Sequence, residues 1–164
     1  MFLILPFPLS IVGLYMSKPD KFTGKFEFLE HTADVFVRAH GKTMEEAYEN
    51  AALSMFETMT DTDKIAPTQE ETVEVEAEDQ YALLYSWLEA LLVKFETENM
   101  LYSKFQIISW KETADTFKIK AKIWGEKFDP KKHPQKVGVK AVTYHRMVII
   151  RETDRVILEF ILDI

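Results

Sequence analysis

Two segments of the sequence carry apolar residues at the spacing of an α-helix, and everything after the second one has the pattern of β-strands. The first begins after Thr43, which forms a T-x-x-E capping box with Glu46, and its apolar stripe runs to Met59. The second begins after Asp79, a favoured N-cap residue, and Asn99 ends it. Because helices and strands do not alternate regularly, this order favours an α+β fold over a doubly wound sheet.

The remaining segments predict strands that the two helices would cover. They are Val35 to Ala39, Thr72 to Glu78, Phe105 to Trp110, Thr116 to Trp124, Val137 to Tyr144, Met147 to Arg151 and Val156 to Leu162. In the fourth, apolar residues alternate with Lys118, Lys120 and Lys122, which is typical of a strand with one buried face and one face in water. We predict one domain, with two amphipathic helices packed on a mostly antiparallel or mixed β-sheet.

Length, charge and cysteine content restrict the function. The chain has 164 residues, the usual size of a single domain, and its 20 Lys and Arg against 27 Asp and Glu give a formal charge of -7. This charge argues against strong direct binding to nucleic acid, which depends on basic residues releasing counterions. The absence of cysteine excludes disulfides and thiolate zinc sites and is compatible with the cytoplasm, so a metal would be held by oxygen or imidazole.

The first residues, MFLILPFPLSIVGLY at 1–15, are almost wholly apolar. They are shorter than the roughly 20 residues that a membrane-spanning helix needs, and no basic residue precedes them as in a signal peptide. Met16 opens an ordinary polar stretch, so we expect translation to begin there, with 1–15 an extension of doubtful origin and 16–164 the domain. If the extension is genuine, it is a weak signal sequence or an apolar arm packed on a neighbour.

Polar residues cluster at four places, each of them a weak signal alone. The first is E-H-T-A-D at 30–34, where His31 and Asp34 precede a strand. Such residues form sites, but they also commonly bond only to local amides. The second is the turn-rich segment 125–134, and charged loops of this kind are commonly just solvated.

The third cluster is K-A-V-T-Y-H at 140–145, where Lys140 lies on an otherwise apolar strand and either has a function or prevents unwanted strand pairing. The fourth comprises Asp163 and the carboxylate of Ile164, after an apolar strand that something must hold in place. Neighbouring carboxylates repel each other, and either a hard cation or a nearby Lys or Arg would relieve the repulsion.

In this order, the clusters resemble the archease family. The resemblance rests on E-H-T-A-D at 30–34, G-K-T-M-E-E-A-Y-E-N-A at 41–51, L-L-Y-S-W-L-E-A-L-L at 83–92, G-E-x-x-D at 125–129, K-A-V-T-Y-H at 140–145 and the terminal D-I. It covers residues 25–164. It implies an α+β protein that is not itself an enzyme but promotes guanylylation and multiple turnover of the RtcB-type RNA ligase in tRNA splicing and RNA repair. A lesser implication is a chaperone-like modulator of a tRNA methyltransferase.

The resemblance also implies a site. It places the metal ligands, for a divalent metal that we expect to be calcium, at Asp34, Asp163 and Ile164. It gives Asp34 and Lys140 the role in ligase activation, with His31 and His145 as possible supporting residues.

Two rival interpretations stay open. A metal-dependent hydrolase would use Asp34, His31, Asp163 and His145, but the sequence has no nucleophile elbow, H-E-x-x-H motif or phosphate-binding glycine-rich loop. A plain binding module would present exposed aromatic residues such as Tyr144 or Trp124 to a protein partner.

Overall fold

A computed structural model describes residues 24–31 and 33–164 of the chain. The expected extension at 1–15 and the expected start at Met16 therefore lie outside the described residues.

The chain forms two antiparallel sheets and two long helices. In chain order, the elements are β1 (Phe26–Leu29), β2 (Val35–Gly41), α1 (Met44–Met59), a short 3-10 helix (Thr62–Lys64), β3 (Gln69–Ala77), α2 (Gln80–Glu98), β4 (Met100–Glu112), β5 (Phe117–Lys127), β6 (Ala141–Val142), β7 (Val148–Arg151) and β8 (Val156–Asp163). The five-stranded sheet has the order β1-β2-β8-β6, with β7 also paired to β8, and the three-stranded sheet has the order β3-β5-β4. This confirms the predicted α+β class.

Both helices begin where the capping residues predicted. The Thr43 hydroxyl accepts a hydrogen bond from the Glu46 amide at 3.1 Å, and the Glu46 carboxylate accepts one from the Lys42 amide at 2.9 Å. At the start of α2, the Asp79 carboxylate accepts a hydrogen bond from the Ala82 amide at 2.8 Å. These bonds satisfy amides that have no partner inside the helix, and they fix the two starting points.

Each helix contacts both sheets, so the core lies between the sheets and around the helices. The predicted apolar stripe of α1 is buried in this core, as expected for packing residues rather than a cofactor pocket. Two hydrogen bonds of aromatic side chains connect the helices. The Trp87 indole of α2 donates to the Tyr48 carbonyl of α1 at 2.9 Å, and the Tyr48 hydroxyl donates to the Gln80 carbonyl of α2 at 3.0 Å.

The lysine row on β5 faces solvent, as predicted. Lys118 and Lys120 are exposed, and Lys122 is partly exposed. Lys118 lies 4.0 Å from a Glu74 carboxylate oxygen, and Lys122 lies 3.4 Å from one of Glu70. The row is therefore balanced by acidic residues on the neighbouring strand β3.

The predicted strand over 137–144 is wrong except at β6. Its first half leaves the sheet because the Lys136 amide donates to the Met59 carbonyl at 3.0 Å, which ties the chain to the end of α1. Strand β1 was not predicted, since an element as short as Phe26–Leu29 gives little periodic signal and is stabilised by pairing with β2.

In the part of the chain that the structure describes, neither helix is long and apolar enough to cross a membrane.

Candidate functional site

The pairing of β2 with β8 brings together residues from opposite ends of the described chain. Val35 lies opposite Leu162, and the antiparallel register continued by one position places Asp34 opposite Asp163. Residues directly opposite each other in such a pair have Cβ atoms about 5 Å apart and share one face of the sheet. The register thus places these two predicted metal ligands side by side.

The other side of β8 adds the third cluster to this end of the sheet. Ala141 pairs with Asp163, and the Lys140 amide donates to the Asp163 carbonyl at 2.7 Å. The Lys140 side chain is exposed, and Ile164 follows Asp163 directly. We call Asp34, Lys140, Asp163 and Ile164 the tip. The last strand is held between β2 and β6, which explains why an apolar strand can run to the final residues.

The two aspartates point away from the core cluster. On β8, Leu158, Phe160 and Leu162 belong to that cluster, so the alternation of a strand places Ile161 and Asp163 on the opposite face. On β2 the same alternation places Asp34 and Phe36 on that outer face, and Asp34 is partly exposed. Phe36 and Ile161 are themselves buried on this face, but Asp163 and Ile164 are also partly exposed, so a ligand or partner can reach the tip.

No described cation neutralises the tip carboxylates. Further along the same face, Arg38 lies 2.7 Å from Glu159 and 3.5 Å from Glu27. Within residues 24–31 and 33–164, by contrast, neither Asp34 nor Asp163 forms an ion pair. Neighbouring carboxylates without a cationic partner favour a bound cation. Because the tip offers only oxygen donors, a hard cation suits it best.

The supporting histidines do not complete a metal cage. His31 Nδ1 accepts a hydrogen bond from the Asp34 amide at 3.4 Å, which is a turn-stabilising contact, and His145 is exposed in the connection between β6 and β7. In the described ranges, no three His, Asp or Glu side chains converge as a metal-binding group. A metal here would draw on the two aspartates, the Ile164 carboxylate and water.

Lys136, which the sequence motifs do not single out, anchors the segment leading to the tip. Its ammonium lies 2.7 Å from a Glu57 carboxylate oxygen and 2.9 Å from one of Asp61. Burial acts against the charged form of Lys136, but these hydrogen bonds outweigh it and raise its pKa. Lys136 and Glu57 also line, with Asp34, a cavity of about 290 Å³. Basic side chains commonly lie at the end of a helix, where they bind its last carbonyls. Lys136 is far from α1 in the sequence, so no local motif could identify its position at the end of this helix.

The second polar cluster is structural rather than solvated. His133 is fully buried; its Nδ1 accepts a hydrogen bond from the Asp129 amide at 2.9 Å, and its Nε2 lies 2.9 Å from a Glu126 carboxylate oxygen. Glu126 also accepts from the Ala66 amide at 2.8 Å and from the Lys132 ammonium at 3.0 Å. Burial opposes its ionisation, but these hydrogen bonds together lower the pKa of the Glu126 carboxyl to about 2. We call Glu126, Lys132 and His133 the clamp.

The exposed aromatic Tyr144 is partnered. Its ring is stacked on that of Tyr85, with centroids 4.5 Å apart and planes 6° apart, and Tyr144 is 54% exposed. Trp124 differs, because its indole donates to Glu70 at 3.1 Å and its ring lies under the Lys104 ammonium at 4.5 Å. Of these two aromatic residues, Tyr144 is the one that lies in the segment beside the tip.

Comparisons with known proteins agree with the sequence motifs. A family described as "Archease protein family (MTH1598/TM1083)" matches residues 26–164. "Protein archease" of Sulfurisphaera tokodaii is 48% identical over 141 residues, covering 85% of this chain and 99% of the relative, and "Protein archease" of Thermococcus kodakarensis is 43% identical over the same shares of both chains.

Two solved structures resemble the fold. The solution structure of protein 1598 from Methanobacterium thermoautotrophicum has a TM-score of 0.75 and 41% identity, and covers 85% of this chain and 99% of that one. A crystal structure from Thermotoga maritima, described as an archease and possible chaperone, has a TM-score of 0.53 and 19% identity over 83% of this chain and 94% of that one. The second similarity concerns the fold alone.

Proposed function

Because the chain belongs to the archease family, we propose that it is an accessory factor of the RtcB-type RNA ligase, promoting guanylylation and multiple turnover of that enzyme in tRNA splicing and RNA repair. In this proposal the protein has no catalytic activity of its own and acts in the cytoplasm on its partner. The names of its relatives support such a role, because they describe an archease or a possible chaperone and not an enzyme.

The observation that carries the proposal is the register that places Asp34 opposite Asp163, next to Lys140. Asp34, Asp163 and the Ile164 carboxylate would hold a divalent metal, for which we propose calcium. Calcium prefers six to eight oxygen ligands, so three protein groups leave positions for water or for groups of the partner. When bound, the metal would neutralise negative charge and orient phosphate oxygens.

The remaining groups of the tip suit an insertion into the active-site mouth of the ligase. Lys140 is exposed and its amide is bonded to Asp163, so its side chain starts next to the tip, and a positioned cation stabilises charge that develops during nucleotidyl transfer. Asp34 directly precedes β2 and Asp163 ends β8, so the pairing of these strands brings the two aspartates together before the partner arrives. The net charge of -7 keeps the protein from competing with the ligase for RNA.

The test is ligation of RNA ends by the RtcB-type ligase of the same organism, with GTP and divalent metal, followed past one product per ligase molecule. We expect continuing product formation only when the protein is present, and loss of this effect in D34A, K140A and D163A. The matched control is D115A, which removes an exposed aspartate from the turn between β4 and β5. An unchanged time course with a ligase known to be competent would overturn the proposal.

A chaperone-like role toward a tRNA methyltransferase is the second candidate, because membership of the archease family implies it as a lesser possibility. It predicts that the protein alters the aggregation or the site choice of the methyltransferase with no ligase present. The hydrolase alternative predicts turnover of a small phosphoester by the protein alone.

A further inference from the structure

Arg146 lies in the connection between β6 and β7, in a backbone conformation that directs its side chain. The Met147 amide donates to the Tyr144 carbonyl at 3.1 Å and closes a tight turn. Within this turn Arg146 has a φ of 57°, in the left-handed region that non-glycine residues rarely occupy. Such conformations persist only where the surrounding structure enforces them, and they often occur at functional sites.

The Arg146 guanidinium lies over an aromatic ring of the outer face. Its Cζ is 4.8 Å from the centroid of the Phe36 ring, and the His31 ring contacts the same ring edge-on with centroids 6.1 Å apart. A guanidinium over an aromatic face is attracted by the negative charge of that face. This contact places the guanidinium beside Phe36 on the outer face of the sheet.

This position adjoins the tip. Phe36 pairs with Ile161, and the next positions on the same face are Asp34 and Asp163. Successive residues on one face of a strand are about 7 Å apart. The guanidinium thus lies within the reach of one small anionic ligand from the tip carboxylates.

Arg146 differs from the other arginines in its charge partners. Arg38 pairs with Glu159, and Arg151 pairs with Glu112 at 3.0 Å. Arg155 pairs with Glu152 at 2.9 Å. Arg146 is exposed and forms no ion pair with any residue that the structure describes. Its planar fork of donors is consequently available to a ligand.

We propose that Arg146 is a phosphate-binding residue of the tip. A guanidinium binds phosphate oxygens in pairs, and a metal held by Asp34 and Asp163 would bind neighbouring oxygens of the same group. Two positive centres at neighbouring positions of one sheet face fit a polyphosphate or a terminal phosphate better than a single carboxylate. The inference rests on the proposed function, since it depends on a cation at the tip.

The test is calorimetric titration of the full chain, in calcium, with inorganic triphosphate and separately with a short RNA that carries a terminal phosphate. We expect saturable binding of at least one ligand, and about tenfold weaker binding by R146Q, because a charge-assisted pair of hydrogen bonds is lost. R146K keeps the positive charge but lacks the planar arrangement of donors, so its affinity should lie between those of the wild type and R146Q. R151Q makes the same change at an arginine paired with Glu112 and should bind like the wild type.

Tighter binding of triphosphate would identify a nucleotide as the source of the phosphate, and tighter binding of the oligonucleotide would identify an RNA end. Wild-type protein that binds neither ligand, or R146Q that binds as the wild type does, overturns the inference. F36L provides a second variant, because it removes the ring but keeps the arginine, and we expect weaker binding with the fold intact.

Ligase stimulation measured in parallel separates the two proposals. Stimulation by the wild type together with unimpaired phosphate binding by R146Q rejects only the role of Arg146. Phosphate binding that depends on Arg146, without any stimulation of the ligase, rejects the proposed function and leaves the phosphate site in place.

Discussion

The tip and the clamp are both short polar clusters next to strand ends, and their surroundings are opposite. In the clamp, the Glu126 carboxylate is surrounded by donors from Lys132, His133 and a backbone amide. At the tip, Asp34 and Asp163 are neighbours with no ion pair among the described residues. A polar cluster whose groups satisfy one another supports the fold, whereas one with unsatisfied charge is available for a ligand.

The largest expected effect is the loss of stability at low pH when Glu126 of the clamp is protonated. The pKa of Glu126 is about 2 in the folded protein and near 4.5 when unperturbed. The ionised carboxylate therefore adds to the free energy of unfolding above pH 4.5, and this contribution is lost as the pH falls toward 2. The stability advantage of the wild type over E126Q should shrink by up to about 3 kcal/mol across that range. Urea unfolding at a series of pH values measures it, with D115N as the control carboxylate. A difference independent of pH would show that the clamp does not hold Glu126 ionised.

Removing the buried histidine should be the next largest change. H133A deletes a fully buried ring, leaves the Asp129 amide without its acceptor and removes one of the three groups that donate to the Glu126 carboxylate. We expect a loss of about 2 kcal/mol in the free energy of unfolding, measured with urea at pH 7. H145A, at an exposed position beside the tip, should stay within about 0.5 kcal/mol of the wild type. Equal losses of stability in H133A and H145A would contradict the distinction between a clamp that supports the fold and a tip that does not.

At the tip, stability should respond to metal instead. Calcium at ten times its dissociation constant should raise the free energy of unfolding by about 1.4 kcal/mol, because only the folded chain brings the ligands together. D34N should lose this gain while remaining close to the wild type in calcium-free buffer. The comparison is made by thermal unfolding with calcium and with a chelator. Calcium stabilisation that survives in D34N would place the ion elsewhere.

The smallest effect tests the Ile164 carboxylate as a ligand. Extra residues after Ile164 replace its carboxylate with an amide, and a tenfold weaker calcium affinity would remove about 1 kcal/mol of the calcium-dependent stability. The same residues added before Met16 should leave it unchanged. Thermal unfolding of both tagged forms in the same calcium series measures the difference. Equal calcium stabilisation of the two forms would exclude the carboxylate from the site.

Part of the candidate site could be predicted from the sequence, and part could not. Asp34, Lys140 and Asp163 stand in motifs that resemble a known family, so the amino-acid sequence alone identifies them as candidates. Lys136, the buried His133 and Arg146 were missed, because each depends on a partner distant in the chain or on the course of a loop. The metal ligands and the role of Lys140 stay predictions until calcium and ligase are measured.

The sequence by itself determined the helices. Apolar periodicity and capping by Thr43 and Asp79 are local, so they specify where each helix starts and which side it buries. Only the tertiary structure decided that Asp34 faces Asp163, that the Lys136 segment leaves the sheet, and that the clamp is buried. These features follow from the register of strands far apart in the chain, and a register is set by long-range pairing and burial, which neighbouring residues do not encode.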